Sequence, residues 1–130
     1  MKDCIFCKIV AGEIPSYKVY EDDNFFAFLD IKPFARGHVL VIPKKHFRWV
    51  WEVPDFGGYF ECAHKILKGI KKALKPDWFS FMTFGKQVAH AHVHIVPKYD
   101  KNAEEEMSFK RLDLTKEELT SLANKIKEAI

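Results

Sequence analysis

The chain reads as an α+β domain: an antiparallel sheet of about five strands, one long helix and a C-terminal helix. Short β-prone runs recur between turn signals, and two long stretches keep helical apolar spacing. Composition agrees. With 130 residues, 48% hydrophobic and 15% aromatic, the chain is expected to form a single domain, 1–130, able to bury a core.

Asp3 is placed to cap a short helix through Ile5, Phe6 and Ile9 that Gly12 ends. After the Ile14-Pro15 break, Tyr17 to Tyr20 and Phe25 to Leu29 read as strands joined by a polar turn over Glu21-Asp22-Asp23-Asn24. Pro33 and Gly37 punctuate a loop, and His38 to Ile42 is a β-prone run stopped by Pro43. From Asp55 to Leu74 the apolar residues keep helical spacing, and Pro76 limits extension. Trp78 to Phe84 reads as a strand that a tight turn, Gly85-Lys86-Gln87, leads into a histidine-rich one. A polar loop with Glu104, Glu105 and Glu106 follows. Thr115 and Glu118 then form a capping box for a helix with Leu119, Leu122, Ala123, Ile126 and Ile130 on one stripe.

Composition also excludes classes of function. A net charge of +3 mixed along the chain gives no basic stripe, so no nucleic-acid partner is expected and an anionic small molecule fits better. The start Met1-Lys2-Asp3-Cys4 lacks a signal-peptide apolar stretch and no segment approaches a membrane span. Three cysteines, an odd count, argue against a disulfide framework, which makes the cytoplasm the expected location.

The densest signal is His90-Ala91-His92-Val93-His94, which spends three of six histidines at alternate positions. A strand sends alternate residues to one face, so the imidazoles share a side while Ala89, Ala91, Val93 and Ile95 form an apolar underside. Same-face neighbours lie ~6.6 Å apart, placing His90 and His94 ~13 Å apart at their backbones. Zinc–nitrogen bonds are only ~2.0–2.1 Å, so one ion cannot readily take all three. A nucleophile flanked by orienting partners fits the row better. Neutral imidazole, with an ordinary pKa of ~6.5, suits nucleophilic attack near neutrality. Gly85, just before the row, permits an open backbone whose N–H groups would face phosphate oxygens.

Cys4 and Cys7 have CxxC spacing, which asks for two further ligands in a closed tetrahedral metal site; two buried reduced thiols are the simpler alternative. Cys62, His64, Trp49, Trp51 and Trp78 read as packing or interface residues.

The run His-Ala-His-Val-His-Ile-Val resembles the signature of the histidine triad (HIT) superfamily of nucleotide hydrolases and transferases. Cys4 to Pro15 is similar to that family's opening segment, Phe28-Leu29-Asp30-Ile31 to its ribose-binding strand end, and Gly37 to His46 to its central strand. The resemblance implies a homodimeric HIT-like fold with the 55–74 helix at the interface. It implies attack by His92 on the α-phosphorus of a purine nucleotide derivative through a nucleotidyl-histidine intermediate. His94 would contact phosphate and leaving group, while His90 and His38 orient the rings. Asp30 would accept the ribose hydroxyls; an ionised carboxylate is acceptor-only and suits a diol. Ile5, Phe6, Ile9, Ile14, Phe28, Leu29 and Ile31 would wall the base, and the backbone of Lys86, Gln87 and Val88 would hold phosphate oxygens. Cys4, Cys7, His46 and His90 would bind a structural zinc. Phosphoramidates lead the expected substrates. A dinucleoside polyphosphate hydrolase, a nucleotide-binding regulatory protein and a zinc-dependent hydrolase using His90 and His92 remain alternatives. Lys86 departs from the pattern, standing where many members carry glutamine, and an asparagine ahead of it is missing. The added cation either favours a more anionic substrate or points to solvent.

Overall fold

The computed structural model describes residues 3–100 and 109–130, so the Glu104–Glu106 loop lies outside the described residues. Helix α1 (Ile5–Val10) is followed by strands β1 (Lys18–Glu21), β2 (Phe25–Leu29) and β3 (Val39–Pro43). A 3-10 turn over Val50–Glu52 leads to α2 (Phe56–Leu74), then β4 (Trp78–Met82), β5 (Val93–Lys98) and α3 (Lys116–Ala129). The five strands form one sheet in the order β1-β2-β3-β5-β4, every neighbouring pair antiparallel.

Both faces of this sheet are covered. Phe25, Ala27 and Leu29 of β2, Val39 and Val41 of β3, and Val93 and Ile95 of β5 pack with Tyr59, Ala63, Ile66 and Ile70 of α2 and with the α3 stripe. The alternate residues Phe26, Phe28, Leu40 and Ile42 pack on the other face with Phe6 and Ile9 of α1. Period-two alternation thus builds two apolar layers from single strands. The buried Tyr59 hydroxyl donates to the Val41 carbonyl at 2.6 Å and ties α2 to the sheet centre.

Several boundaries differ from the sequence reading, each for a local reason. Cys4, not Asp3, caps α1, its Sγ accepting from the Cys7 N–H at 3.2 Å. The run expected to reach Phe84 stops at Met82, and residues 83–92 form a loop wider than a tight turn. Only His94 of the histidine row therefore lies in a strand; Ala91 is held instead by its N–H donating to the Phe47 carbonyl at 2.7 Å. The first strand begins one residue late, at Lys18. Thr115 with Glu118 forms the capping box of α3, as the sequence indicates, and Asp55 at the head of the predicted helical run caps α2 by accepting from the Gly58 N–H.

Gly37 has φ +88°, and a Cβ there would sit 2.4 Å from Leu74 Cδ1. Strain and clash coincide at the entrance to β3. Gly37→Ala should destabilise the fold by about 2 kcal/mol or more, read as a lower denaturant midpoint; an unchanged midpoint would show that the loop absorbs the methyl group.

Candidate active site and metal centre

His94 projects from β5 to the face opposite α2, while His90 and His92 continue the alternation along the extended approach, their neighbours Ala91 and Val93 lying in the main core. The hydrogen bonds assign the protons. The Phe34 N–H donates to His38 Nδ1 at 3.0 Å, so the neutral His38 proton lies on Nε2 and points to His94 Nδ1 at 2.9 Å. His94 then carries its own proton on Nε2. His92 Nδ1 lies 2.8 Å from the His90 carbonyl, an acceptor only, so Nδ1 donates and Nε2 keeps a free lone pair. His90 Nε2 likewise donates to the Pro43 carbonyl at 2.8 Å. Four backbone and ring contacts therefore set four tautomers, leaving one lone pair and one N–H on adjacent rings. The His92 and His94 centroids are 5.0 Å apart and edge to face.

Burial keeps this chain of rings neutral. It pushes His38 down to about 3, with the Arg111 charge adding to it. His94 is also held at about 3, by burial and then by His38. His92 is lowered too, mainly by burial, with its bond to the His90 carbonyl opposing.

His92 and His94 face a cleft of about 620 Å³. Ile5, Phe6, Ile9 and Ile14 from the α1 region, and Phe28, Leu29, Asp30 and Ile31 at the end of β2, line it together with Lys86, Gln87 and Val88. His38 and His90 are fully buried behind this wall. Phe6 packs edge-on against both His90 and His92, with centroids 5.9 and 5.2 Å away. Gly85 has φ +69°, and a Cβ on it would lie 2.7 Å from the Trp49 ring, so the turn before the row needs glycine for conformation and for space.

The cleft also contains residues that sequence reasoning missed: Lys32, Phe34, Leu40, Phe84 and Arg111. Phe34 stacks on His38 at 5.1 Å, and Phe84 meets His94 edge-on at 5.5 Å. Arg111 donates to Asp30 Oδ2 at 3.2 Å across 81 residues of sequence, and no local pattern signals that contact.

A second constellation joins Cys4, Cys7, His46 and His90, whose ligand atoms all lie within 4.8 Å of one another. Cys4 Sγ and Cys7 Sγ are 3.2 and 3.4 Å from His90 Nδ1, and Cys7 Sγ is 3.3 Å from His46 Nδ1. Tetrahedral zinc with ordinary bond lengths sets sulfur–nitrogen separations of about 3.6 Å, so small outward adjustments would accommodate an ion. Because His90 Nε2 donates to Pro43, Nδ1 turns its lone pair towards the two thiols. Partial burial and then Cys4 push the Cys7 thiol up to about 11, a direction that a bound cation would reverse. Donor type, protonation and geometry all fit a metal site. Asp30, His38 and His94 also fall within metal-ligating distance, but His38 Nε2 and His94 Nδ1 already bond to each other and Asp30 Oδ2 accepts from Arg111.

Residues 11–101 match the model of the HIT domain. The chain belongs to the HIT family. Adenosine 5'-monophosphoramidase HNT1 of Saccharomyces cerevisiae is 40% identical over 105 residues, covering 77% of this chain and 65% of the relative. The HIT fold is equally plain in solved structures. A Hit-like protein from Bartonella henselae superposes with a TM-score of 0.87 at 36% identity, over 100% of this chain and 98% of that one. A zinc-bound histidine triad family protein from Mycobacterium smegmatis gives 0.81 at 30% identity, over 98% and 93%. Among the described residues no helix is long and apolar enough to cross a membrane.

The buried neutral histidines make the HIT domain acid-sensitive. His38 and His94 take up protons near 6.5 when unfolded but only near 3 when folded, so the unfolded state binds more protons between those values. Stability should be full above about pH 6.5 and fall progressively towards pH 3, measured as the denaturant midpoint across that range. His38→Asn and His94→Asn should flatten the slope; a slope unchanged in both would place the acid sensitivity elsewhere.

Proposed function

We propose that the protein is a nucleotide hydrolase or transferase acting at the α-phosphorus of purine nucleotide derivatives, phosphoramidates foremost, with His92 as nucleophile. The observation that carries the reading is the free Nε2 lone pair of His92, held in the cleft beside the N–H on His94 Nε2. Attack forms the His92 Nε2–phosphorus bond as the bond to the leaving group breaks. The His94 Nε2 N–H donates a hydrogen bond to the leaving atom, which takes its proton from solvent, so His94 and His38 stay neutral. Water then attacks phosphorus, breaking the His92 Nε2–phosphorus bond and giving its proton to solvent. The His90 carbonyl steadies the positive charge that His92 develops while bonded to phosphorus.

Substrate binding follows from the cleft walls. Ile5, Phe6, Ile9, Ile14 and Phe28 offer apolar faces to a flat base, and Asp30 offers carboxylate oxygens to the ribose hydroxyls. The N–H groups around Lys86, Gln87 and Val88 would hold phosphate oxygens. Lys32, Lys86 and Arg111 on the same cleft favour a second reading, hydrolysis of more anionic dinucleoside polyphosphates. Cys4, Cys7, His46 and His90 would hold zinc, and a bound ion would cross-link α1, the segment after β3 and the start of the histidine row. We further propose a homodimer through the α2–β4 face. There Phe56 and Phe81 are exposed, and Phe60 packs against both rings at 4.7 and 5.9 Å.

His92→Ala should lower turnover of adenosine phosphoramidate by about 10⁴-fold or more, the scale seen when other enzymes lose their nucleophile. Protein quenched in alkaline denaturant, where the phosphorus–nitrogen bond survives, should carry a nucleotidyl mass increment on the peptide containing His92, and a merely mild loss of rate would remove His92 from that role.

Metal analysis should find one zinc per chain in the purified protein and far less in Cys4→Ser. Chelation should also lower the melting temperature. Zinc-free protein with unchanged stability would leave the four residues as plain packing.

A further inference from the structure

Resting on the reading of Asp30 as the ribose acceptor, we infer that Arg111 is a positioning residue for ribose discrimination, aiming the Asp30 carboxylate at both hydroxyls. A carboxylate offers about four lone-pair sites, two on each oxygen. Asp30 Oδ1 already accepts the Lys32 N–H at 2.9 Å, and Oδ2 accepts Arg111 Nη1 at 3.2 Å. Among the described residues one site remains on each oxygen, the number a vicinal diol requires. With Lys32 alone the carboxylate has a single pivot and can turn about it. Arg111 supplies the second point that sets its plane.

Arg111 is itself held firmly enough for that task. Its Nη1 also donates to the Lys32 carbonyl at 2.5 Å, and its guanidinium lies 4.4 Å from the centre of the Phe34 ring. The segment bearing it is strapped across the loop after β2. Leu112 N–H donates to the Pro33 carbonyl and Asp113 pairs with Lys32, each at 2.7 Å. Upstream, Phe109 packs edge-on against Phe34. Phe34 in turn stacks on His38, so the ribose end and the phosphate end of the cleft share one aromatic support.

The test compares AMP with 2'-deoxy-AMP by calorimetric titration of the full chain. Wild type should prefer AMP by about tenfold or more, the scale of one hydrogen bond to a charged acceptor. Arg111→Ala should shrink that preference several-fold by weakening AMP more than 2'-deoxy-AMP, and Arg111→Lys should recover part of it. In turnover the loss should appear in KM for the ribonucleotide substrate, with kcat kept. Asp113→Ala removes only an exposed ion pair, leaving the Leu112–Pro33 bond, the Phe34 stack and Asp30 in place, and should keep the preference. A preference that survives or rises in Arg111→Ala, or falls equally in Asp113→Ala, overturns the inference. Asp30→Asn separates the two levels. If it abolishes the preference while Arg111→Ala does not, only the role of Arg111 fails. If it leaves the preference intact, the ribose reading of Asp30 fails and takes this inference with it.

Discussion

The register of β5 is the constraint from which the site follows. Leu40 of β3 stands opposite His94, and Val41 stands opposite Val93. Val93 and Ile95 are locked into the core beneath α2, so His94 must emerge on the opposite face. A slip of one residue would bury the imidazole against Ile66 and Ile70 and expose the apolar pair. The same hydrophobic burial that stabilises the domain therefore aims the chemistry. The cleft lies on the less heavily covered face because α1 is short and covers only part of it.

Orientation within the row depends on backbone carbonyls rather than on carboxylates. Pro43 and His90 each present a carbonyl that can only accept, and the Phe34 N–H can only donate. Those fixed polarities run outward from the main chain to the rings, and His38 relays one of them to His94. Such a system needs no reorganisation when substrate arrives. It does need the rings to stay neutral, because a doubly protonated His38 would press an N–H against the Phe34 N–H. Burial enforces that neutrality.

Much of this was legible in the sequence because it is local. Alternation from His90 to Ile95 gave the facing of the row even though regular strand starts only at Val93, since extended backbone alternates with or without ladder bonds. The cap at Thr115 depends on a residue three positions away and was readable for that reason. The Asp3 cap was misplaced because a cysteine is not an ordinary helix cap; Cys4 serves here because its sulfur is held near the thiol–imidazole cluster. Arg111, which reaches the cleft, and Phe109, which packs on Phe34 and Phe84, could not have been read, since both arrive by tertiary packing from a polar segment without periodicity. Phe34 and Phe84 are two of twelve phenylalanines in the chain, and nothing local distinguishes a ring that supports a histidine from one that fills a core.

His90 joins the thiol–imidazole cluster to the His92 ring. Its side chain faces Cys4, Cys7 and His46, while its carbonyl holds the His92 Nδ1 proton. The two functions use different atoms of one residue, so neither competes with the other. A ring drawn towards the thiols would carry its backbone along, shifting the carbonyl that sets the His92 tautomer. The hydrogen bond from Nε2 to Pro43 opposes such a displacement from the far side of the ring. Ala91, tied to Phe47 immediately downstream, limits how far any shift can spread along the chain. His90 is thus clamped at its ring by two elements and at its backbone by a third. That clamping lets a segment outside the regular sheet hold the His92 ring as steadily as a strand would.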